Sequence, residues 1–368
     1  MTDISYMRFA LELAKKGEGR TSPNPLVGAV IVKNGKIIGQ GYHERYGELH
    51  AERNALKNCT ESPEGATMYV TLEPCCHTGK QPPCTEAILE NKIARVVVGS
   101  LDPNPLVAGK GIEILKENGV WVQTEILKEE CDAVNEVFMK FIKTKRPFVA
   151  MKYAMTADGK IAAYTGKSKW ITGEAARAEV HRLRHRYSGI MVGVGTVLAD
   201  DPMLNCRIEN GKDPVRIICD TNLRTPLDSN IVKTAKDIKT IIACAECDNQ
   251  KALPFIEAGC EMVFVPKNDA GSIDLNRLME ILGERKIDSI LLEGGAELNY
   301  SALNAKIVDK VFCYIAPKLF GGKTAKTPIG GLGVESPDEC FAIENAACRM
   351  IGEDFCIEGS VSYVHRDS

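Results

Sequence analysis

Apolar residues recur at helical spacing near the start of the chain, at Met7, Ala10, Leu11 and Ala14, which predicts a helix capped by Asp3 and running through Lys16. The period then changes. Two apolar-rich runs, 26–32 and 36–41, meet at Asn34-Gly35, a dipeptide that accepts positive φ at both centres of a tight turn, so they read as a hairpin. Helical and strand patterns then alternate: helix over 50–58, strand over 67–72, helix over 82–91, strand over 94–99. A last helix over 128–143 runs into Thr144-Lys145-Arg146-Pro147, where proline ends helices. A domain boundary is expected there, with one domain over 1–145 and another over 146–368. In the second, strand candidates at 148–154, 189–194, 215–219, 239–243, 262–265, 289–292 and 310–315 are separated by helical stretches, which predicts a larger α/β domain.

Length agrees with this division, since 368 residues exceed one ordinary core. The first 17 residues lack the basic start and apolar run of a secretory signal, and no apolar run reaches the roughly 20 residues of a membrane span. A cytoplasmic protein without a membrane partner is expected. The 14 cysteines are irregularly spaced among apolar neighbours, so most read as small buried hydrophobes, the Cys244 and Cys247 pair as structural. A net charge of −3 with dispersed Lys and Arg offers no basic stripe for a nucleic acid.

One constellation carries chemistry. His50-Ala51-Glu52 opens a helix, and Pro74-Cys75 and Cys84 follow after a strand, so an imidazole and two thiolates can meet at helix N-termini. Three such ligands suit zinc and leave a fourth position for water, which distinguishes a catalytic from a closed structural site. Glu52, on another side of the helix from His50, is placed to move protons at that water. The order His-x-Glu, then Pro-Cys, then Cys is that of zinc deaminases. The spacer from Cys75 to Cys84 is longer than the usual two residues, and it brings His77 and Lys80 near the site as candidate phosphate contacts. Cys76 and His77 are weaker ligand candidates because they crowd the same turn.

These residues resemble the bifunctional riboflavin-biosynthesis deaminase/reductase family over nearly the whole chain. The first half carries Ser22-Pro23-Asn24-Pro25-Leu26-Val27-Gly28, His50-Ala51-Glu52, Glu73-Pro74-Cys75, Pro82-Pro83-Cys84 and Asp102-Pro103-Asn104-Pro105. The second carries Met151-Lys152-Tyr153-Ala154, Asp158-Gly159-Lys160-Ile161-Ala162, Ser168-Lys169-Trp170-Ile171-Thr172-Gly173, Val194-Gly195-Thr196-Val197-Leu198-Ala199-Asp200-Asp201-Pro202 and Leu292-Glu293-Gly294-Gly295. The resemblance implies a cytidine-deaminase-like α/β/α domain followed by a dihydrofolate-reductase-like α/β domain. It implies zinc-dependent deamination of a phosphorylated diaminopyrimidinone, then reduction of its ribosyl group to ribityl by NADPH. Asn24, Asn104 and His43 then fall at substrate positions of the deaminase. In the reductase, Ala154, Trp170, Thr196, Asp200, Thr234 and the run Gly295, Ala296, Glu297, Leu298, Asn299, Tyr300 and Ser301 fall at the cofactor. Ser168, Arg184, Leu204, Arg207 and Glu293 fall at the substrate, the two arginines suited to phosphate as planar forks.

Three further expectations follow, the first two from the residues and the last from the fold that the resemblance implies. Gly193-Val194-Gly195-Thr196 follows a strand and opens a helix, so its free N–H groups can face an anionic cofactor, but without a third glycine and a ribose-binding acid it is not a Rossmann fingerprint; Glu293-Gly294-Gly295-Ala296 repeats the same logic and is the better candidate for the cofactor phosphates. Lys152 can direct an ammonium at the sugar where hydride arrives, which makes it a catalytic candidate. A homo-oligomer, dimer or tetramer, is expected. The competing reading is a nucleotide or nucleic-acid deaminase with a non-catalytic, nucleotide-sensing C-terminal domain.

Overall fold

The computed structural model describes residues 2–105, 107–245 and 249–363; Cys247 lies outside them. Its first helix, α1 (Asp3–Lys15), is capped by Thr2, which accepts from Ser5 N–H. Asp3 sits instead inside the first turn, where it accepts from Arg95 and Tyr69. The hairpin follows as β1 (Gly28–Lys33) and β2 (Lys36–Tyr42), with Asn34 and Gly35 at φ of 51° and 75°. Two positive centres match the right-handed twist of the strands they join. Then come α2 (Ala51–Lys57), β3 (Thr67–Leu72), α3 (Cys84–Glu90), β4 (Arg95–Ser100), α4 (Lys110–Glu117) and β5 (Trp121–Gln123).

The sheet order is β2-β1-β3-β4-β5, with β3, β4 and β5 parallel. Alternation along β1 divides the core: Ala29 and Ile31 join Ala51, Ala55 and Ile88, whereas Val30 and Val32 join Met7, Ala10 and Leu11. Helices therefore cover both faces, and the α2 and α3 N-termini come together on one of them. The single helix expected over 128–143 is two, α5 (Lys128–Val134) and α6 (Glu136–Thr144). Asn135 between them is buried, and its amide pairs with both the N–H and the C=O of Leu26. A propensity argument has no means of seeing a partner 109 residues away.

The chain divides into two units, Met1–Lys145 and Arg146–Ser368. The second contains β6 (Phe148–Thr156), α7 (Glu174–Arg186), β7 (Gly189–Gly193), α8 (Val194–Asp200), β8 (Val215–Cys219), α9 (Asn230–Lys233), β9 (Thr240–Cys244) and α10 (Asn249–Glu257). It continues with β10 (Glu261–Phe264), α11 (Leu275–Glu284), β11 (Ser289–Gly294), α12 (Ala296–Asn304), β12 (Lys310–Ala316), β13 (Ala342–Ile351) and β14 (Asp354–Ser362). The order is β10-β9-β8-β7-β11-β6-β12-β14-β13, parallel as far as β12 and antiparallel beyond. Residues of β7 and β11 such as Ile190, Met191, Ile290 and Leu291 are wholly buried, as strands covered on both faces are. Because β7, β11 and β6 are adjacent and parallel, the turns after β7 and β11 share one edge of the sheet, where α/β proteins place their ligands. No helix among the described residues is long and apolar enough to cross a membrane.

Replacing Asn135 by Ala leaves the Leu26 N–H and C=O without their partner. A loss of about 1–3 kcal/mol in unfolding free energy, read from urea denaturation, is expected.

Candidate active sites

His50 immediately precedes α2 and makes no capping bond with its side chain, so the ring is free to turn toward α3. Its Nδ1 lies 3.5 Å from the Cys75 sulfur and 3.4 Å from the Cys84 sulfur. The Cys84 backbone N–H also donates to the Cys75 sulfur at 3.4 Å. All three ligand atoms fall within 4.8 Å of one another, and among the described residues no other such group forms. A tetrahedral zinc bonded at about 2.0–2.1 Å to nitrogen and 2.3 Å to sulfur requires N to S separations of roughly 3.6 Å, so the residues fit the ion. The Cys75 thiol is driven down, first by the Cys84 S–H that donates to it, so one thiolate stands ready. The group contains Cys75 and leaves out Cys76 and His77.

Glu52 is 3% exposed beside this group. Burial pushes its carboxyl up to about 7, and the neighbouring Cys75 adds to the shift. Asn24 and His43 form a pair next to it: His43 Nδ1 lies 3.0 Å from the Leu49 carbonyl and Nε2 3.1 Å from Asn24 Nδ2. A carbonyl can only accept, so Nδ1 carries the proton, Nε2 accepts from the Asn24 amide, and the Asn24 oxygen is left for a donor. The His43 ring is buried, with both nitrogens engaged, and it supports Asn24. Lys80 Nζ stands 4.0 Å from the centre of the Tyr46 ring, and His77 Nδ1 is buried without a hydrogen bond.

The Asn104 turn is set by a residue whose role sequence reasoning missed. The buried Glu73 carboxylate accepts from the backbone N–H groups of Asp102, Gly109 and Gly111. A Cβ on Gly111 would stand 2.2 Å from the Pro74 carbonyl, so the loop is pressed directly against the chain leading into Cys75. The Glu73-Pro74-Cys75 motif was the available signal.

In the second unit, Lys152 on β6 and Glu293 on β11 lie side by side, 3.8 Å apart and only 14% and 10% exposed. Arg184 from α7 donates Nε and Nη2 to the two Glu293 oxygens at 2.7 and 3.0 Å, and Nη1 to the Asn205 carbonyl. Three of the five N–H groups of that fork are therefore engaged, two of them on Glu293. Burial alone would raise the Glu293 carboxyl, but Arg184 and then Lys152 outweigh it and hold the carboxyl at about 2. Burial lowers Lys152, with Arg184 adding to the shift and Glu293 opposing it.

Around this triad, Gly294 and Gly295 take φ of 79° and 32° and lead into α12, whose N-terminus carries no side-chain cap. Thr196 donates to the Gly294 carbonyl and ties the turn after β7 to the turn after β11. A glycine-lined turn with uncapped N–H groups fits a dinucleotide pyrophosphate. Within the run 295–301, Asn299 Nδ2 donates to the Pro328 carbonyl, Tyr300 to Gly333 and Ser301 to Glu297, while Glu297 accepts from Gly331. These side chains thus hold the helix and the loop crossing it, and only Asn299 Oδ1 is left buried without a bond. Ala154 lies on β6 two residues beyond Lys152; Trp170 is exposed, with the Arg177 guanidinium 4.7 Å from its ring centre. Ser168 is half-buried and Asp200 exposed at the end of α8.

Three further residues expected at the ligands have partners within the fold. Leu204 is buried among Ile190, Val192 and Val197 and anchors its loop from below. Arg207 is exposed and donates Nε to His181 Nε2 at 3.2 Å. The Thr234 hydroxyl accepts from Arg216 at 2.8 Å and donates to the Asn230 carbonyl at 2.6 Å. Arg216 itself is wholly buried and places its remaining donors on Thr240 and on carbonyls that include Met203 and Ile231.

Family models match both units: the cytidine and deoxycytidylate deaminase zinc-binding region over residues 1–100, and the RibD C-terminal domain over residues 147–357. The riboflavin biosynthesis protein RibD of Actinobacillus pleuropneumoniae is 57% identical over 358 residues, 97% of this chain and 95% of the relative. The chain belongs to the RibD family. A solved RibD structure from Acinetobacter baumannii superposes with a TM-score of 0.87 at 34% identity, covering 98% of this chain and 99% of that one. A deaminase/reductase structure from Thermotoga maritima gives 0.86 at 39% identity over the same shares. As a RibD-family protein, the chain is a bifunctional riboflavin-biosynthesis enzyme with a cytidine-deaminase-like zinc domain and a dihydrofolate-reductase-like domain that uses NADPH. The matches do not favour a deaminase with a sensing module.

The folded Glu293 carboxyl lies below its ordinary value, so its contribution to stability is present above about pH 4.5 and fades as pH falls toward about 2. Glu293→Gln leaves two buried cations without their anion and is expected to cost about 3–5 kcal/mol at pH 7. The gap in Tm between variant and parent, measured by calorimetry, narrows as pH drops from 7 to 3.

Proposed function

We propose that the first unit deaminates 2,5-diamino-6-(5-phosphoribosylamino)pyrimidin-4-one and that the second reduces the ribosyl group of the resulting aminouracil to ribityl. The convergence of His50, Cys75 and Cys84 around a buried Glu52 carries the first half of this reading. Zinc, when bound there, supplies the Lewis acidity that lets a water act at neutral pH. Glu52 takes the proton of that water as it attacks the ring carbon and hands it to the departing ammonia. A carboxyl raised toward neutrality can do both within one turnover. Asn24, its amide fixed by His43, offers an oxygen to an N–H of the ring, and Asn104 and Lys80 hold the sugar phosphate side.

In the second unit NADPH supplies the hydride, bound across the turns at Thr196 and Gly295. Lys152, pressed into the protein by Glu293, presents an ammonium to the sugar oxygen that gains a proton as its carbon is reduced. Arg207 takes the substrate phosphate. The reading also includes a cytoplasmic setting, which suits a site that needs reduced thiols, and assembly into a homodimer or tetramer. Support for assembly comes from Ile343, Met350 and Phe355, which lie exposed on one face of β13 and β14, Met350 directly opposite Phe355.

Mass spectrometry of the diaminopyrimidinone with zinc-loaded protein tests both halves. Without NADPH a gain of about one mass unit is expected, and with it about two more. Glu52→Gln should slow the first shift by roughly 10²- to 10⁴-fold and leave reduction of the ready-made aminouracil intact. Lys152→Met should remove the second shift alone; unchanged reduction would take Lys152 out of the mechanism.

A further inference from the structure

The loop joining α8 to β8 is fastened to α7 at successive turns of that helix. Cys206 donates its S–H to the His181 carbonyl, Arg184 donates to the Asn205 carbonyl, and the Lys212 N–H donates to His185 Nδ1. One contact goes the other way in character, because it fixes a side chain and not the loop backbone: Arg207 Nε lies 3.2 Å from His181 Nε2. A guanidinium can only donate, so Nε2 must be the bare nitrogen of the ring, and the proton sits on Nδ1. The ring has to stay neutral for this bond to exist. Burial, then Arg184 and Arg207, hold it at about 4, well below neutrality.

We propose that His181 is a positioning residue of the reductase, which accepts from Arg207 Nε and so holds that arginine ready as the fork for the substrate phosphate. The inference rests on the reading of Arg207 as the phosphate contact. Arg184 is less suited to that task, because three of its five N–H groups are held by Glu293 and Asn205. Arg207, by contrast, is exposed on a loop, where a free arginine would sample many rotamers and lose that freedom on binding. Holding Nε at His181 leaves the two terminal nitrogens to face an anion end-on, with part of the ordering already done before substrate arrives. Beside an uncharged imidazole the Arg207 guanidinium also keeps its charge uncompensated, which a carboxylate at this position would cancel.

Steady-state reduction of 5-amino-6-(5-phosphoribosylamino)uracil by the full-length protein tests this, with KM for substrate, KM for NADPH and kcat read separately. Arg207→Met is expected to raise the substrate KM roughly 10- to 100-fold, the range of a hydrogen-bonded charge contact. His181→Leu should raise it about 5- to 10-fold with kcat and the NADPH KM within about twofold. His181→Gln, whose amide oxygen can accept from Nε, should bring it back to within about twofold of the parent. The double variant His181→Leu/Arg207→Met should be no worse than Arg207→Met. If Arg207→Met raises KM and His181→Leu does not, or if His181→Gln is as impaired as His181→Leu, the positioning role is overturned while the phosphate reading stands. If Arg207→Met leaves KM unchanged, the phosphate reading itself falls and the inference with it.

Discussion

A carboxylate buried between two cations organises the second unit. Glu293 ends the central strand β11, and its charge survives burial only because Arg184 grips both oxygens and Lys152 stands beside them. That requirement fixes much else. Arg184 must reach down from α7, so α7 must lie against the sheet at that depth; Lys152 must face the same side from β6, so the register of β6 against β11 is set. The glycines that follow Glu293 then turn the chain sharply into α12 at the place where the carboxylate has brought the charges together. The packing of α7 and the turn into α12 are thus tied to one ion group, and neither can shift without disturbing the other.

The first unit solves a different problem, that of presenting soft ligands while keeping an acid protonatable. Its three ligands come from the starts of two helices and the loop before the second, so backbone N–H groups accompany the sulfurs. Glu52, one residue into α2, is buried without a cation to hold it ionised other than His50, the ligand itself. The same kind of side chain therefore has opposite character in the two units: Glu293 is kept ionised and Glu52 is kept close to neutral, each by what surrounds it.

Much of this was legible from the residues. The hairpin at Asn34-Gly35, the helix opened by His50 and the parallel strands with glycine turns are each specified by local chemistry, and the ligand set by residue type and order. What was not legible depended on partners distant in the chain. Asn135 breaks a helix for the sake of Leu26; Thr2 replaces Asp3 as a cap because Asp3 is taken by Arg95. Arg184 and Arg207 look equivalent as sequence, and only the identity of their neighbours, a carboxylate in one case and an imidazole in the other, separates a structural clamp from an available fork. The hairpin of β13 and β14 went unpredicted because β13 is largely exposed and its alternation is interrupted by a bulge between Glu344 and Ala347.

That bulge has a consequence for how copies of the chain can meet. A nine-stranded sheet with open borders is a template on which further strands can grow, the route by which many β-rich proteins turn into fibres. Here one border is β10, only four residues long, and the other is β13, where Asn345 at φ of 52° throws the backbone out of line midway along the strand. Neither border offers an unbroken ladder to a newcomer. Growth of the sheet edge to edge is thereby discouraged at both borders.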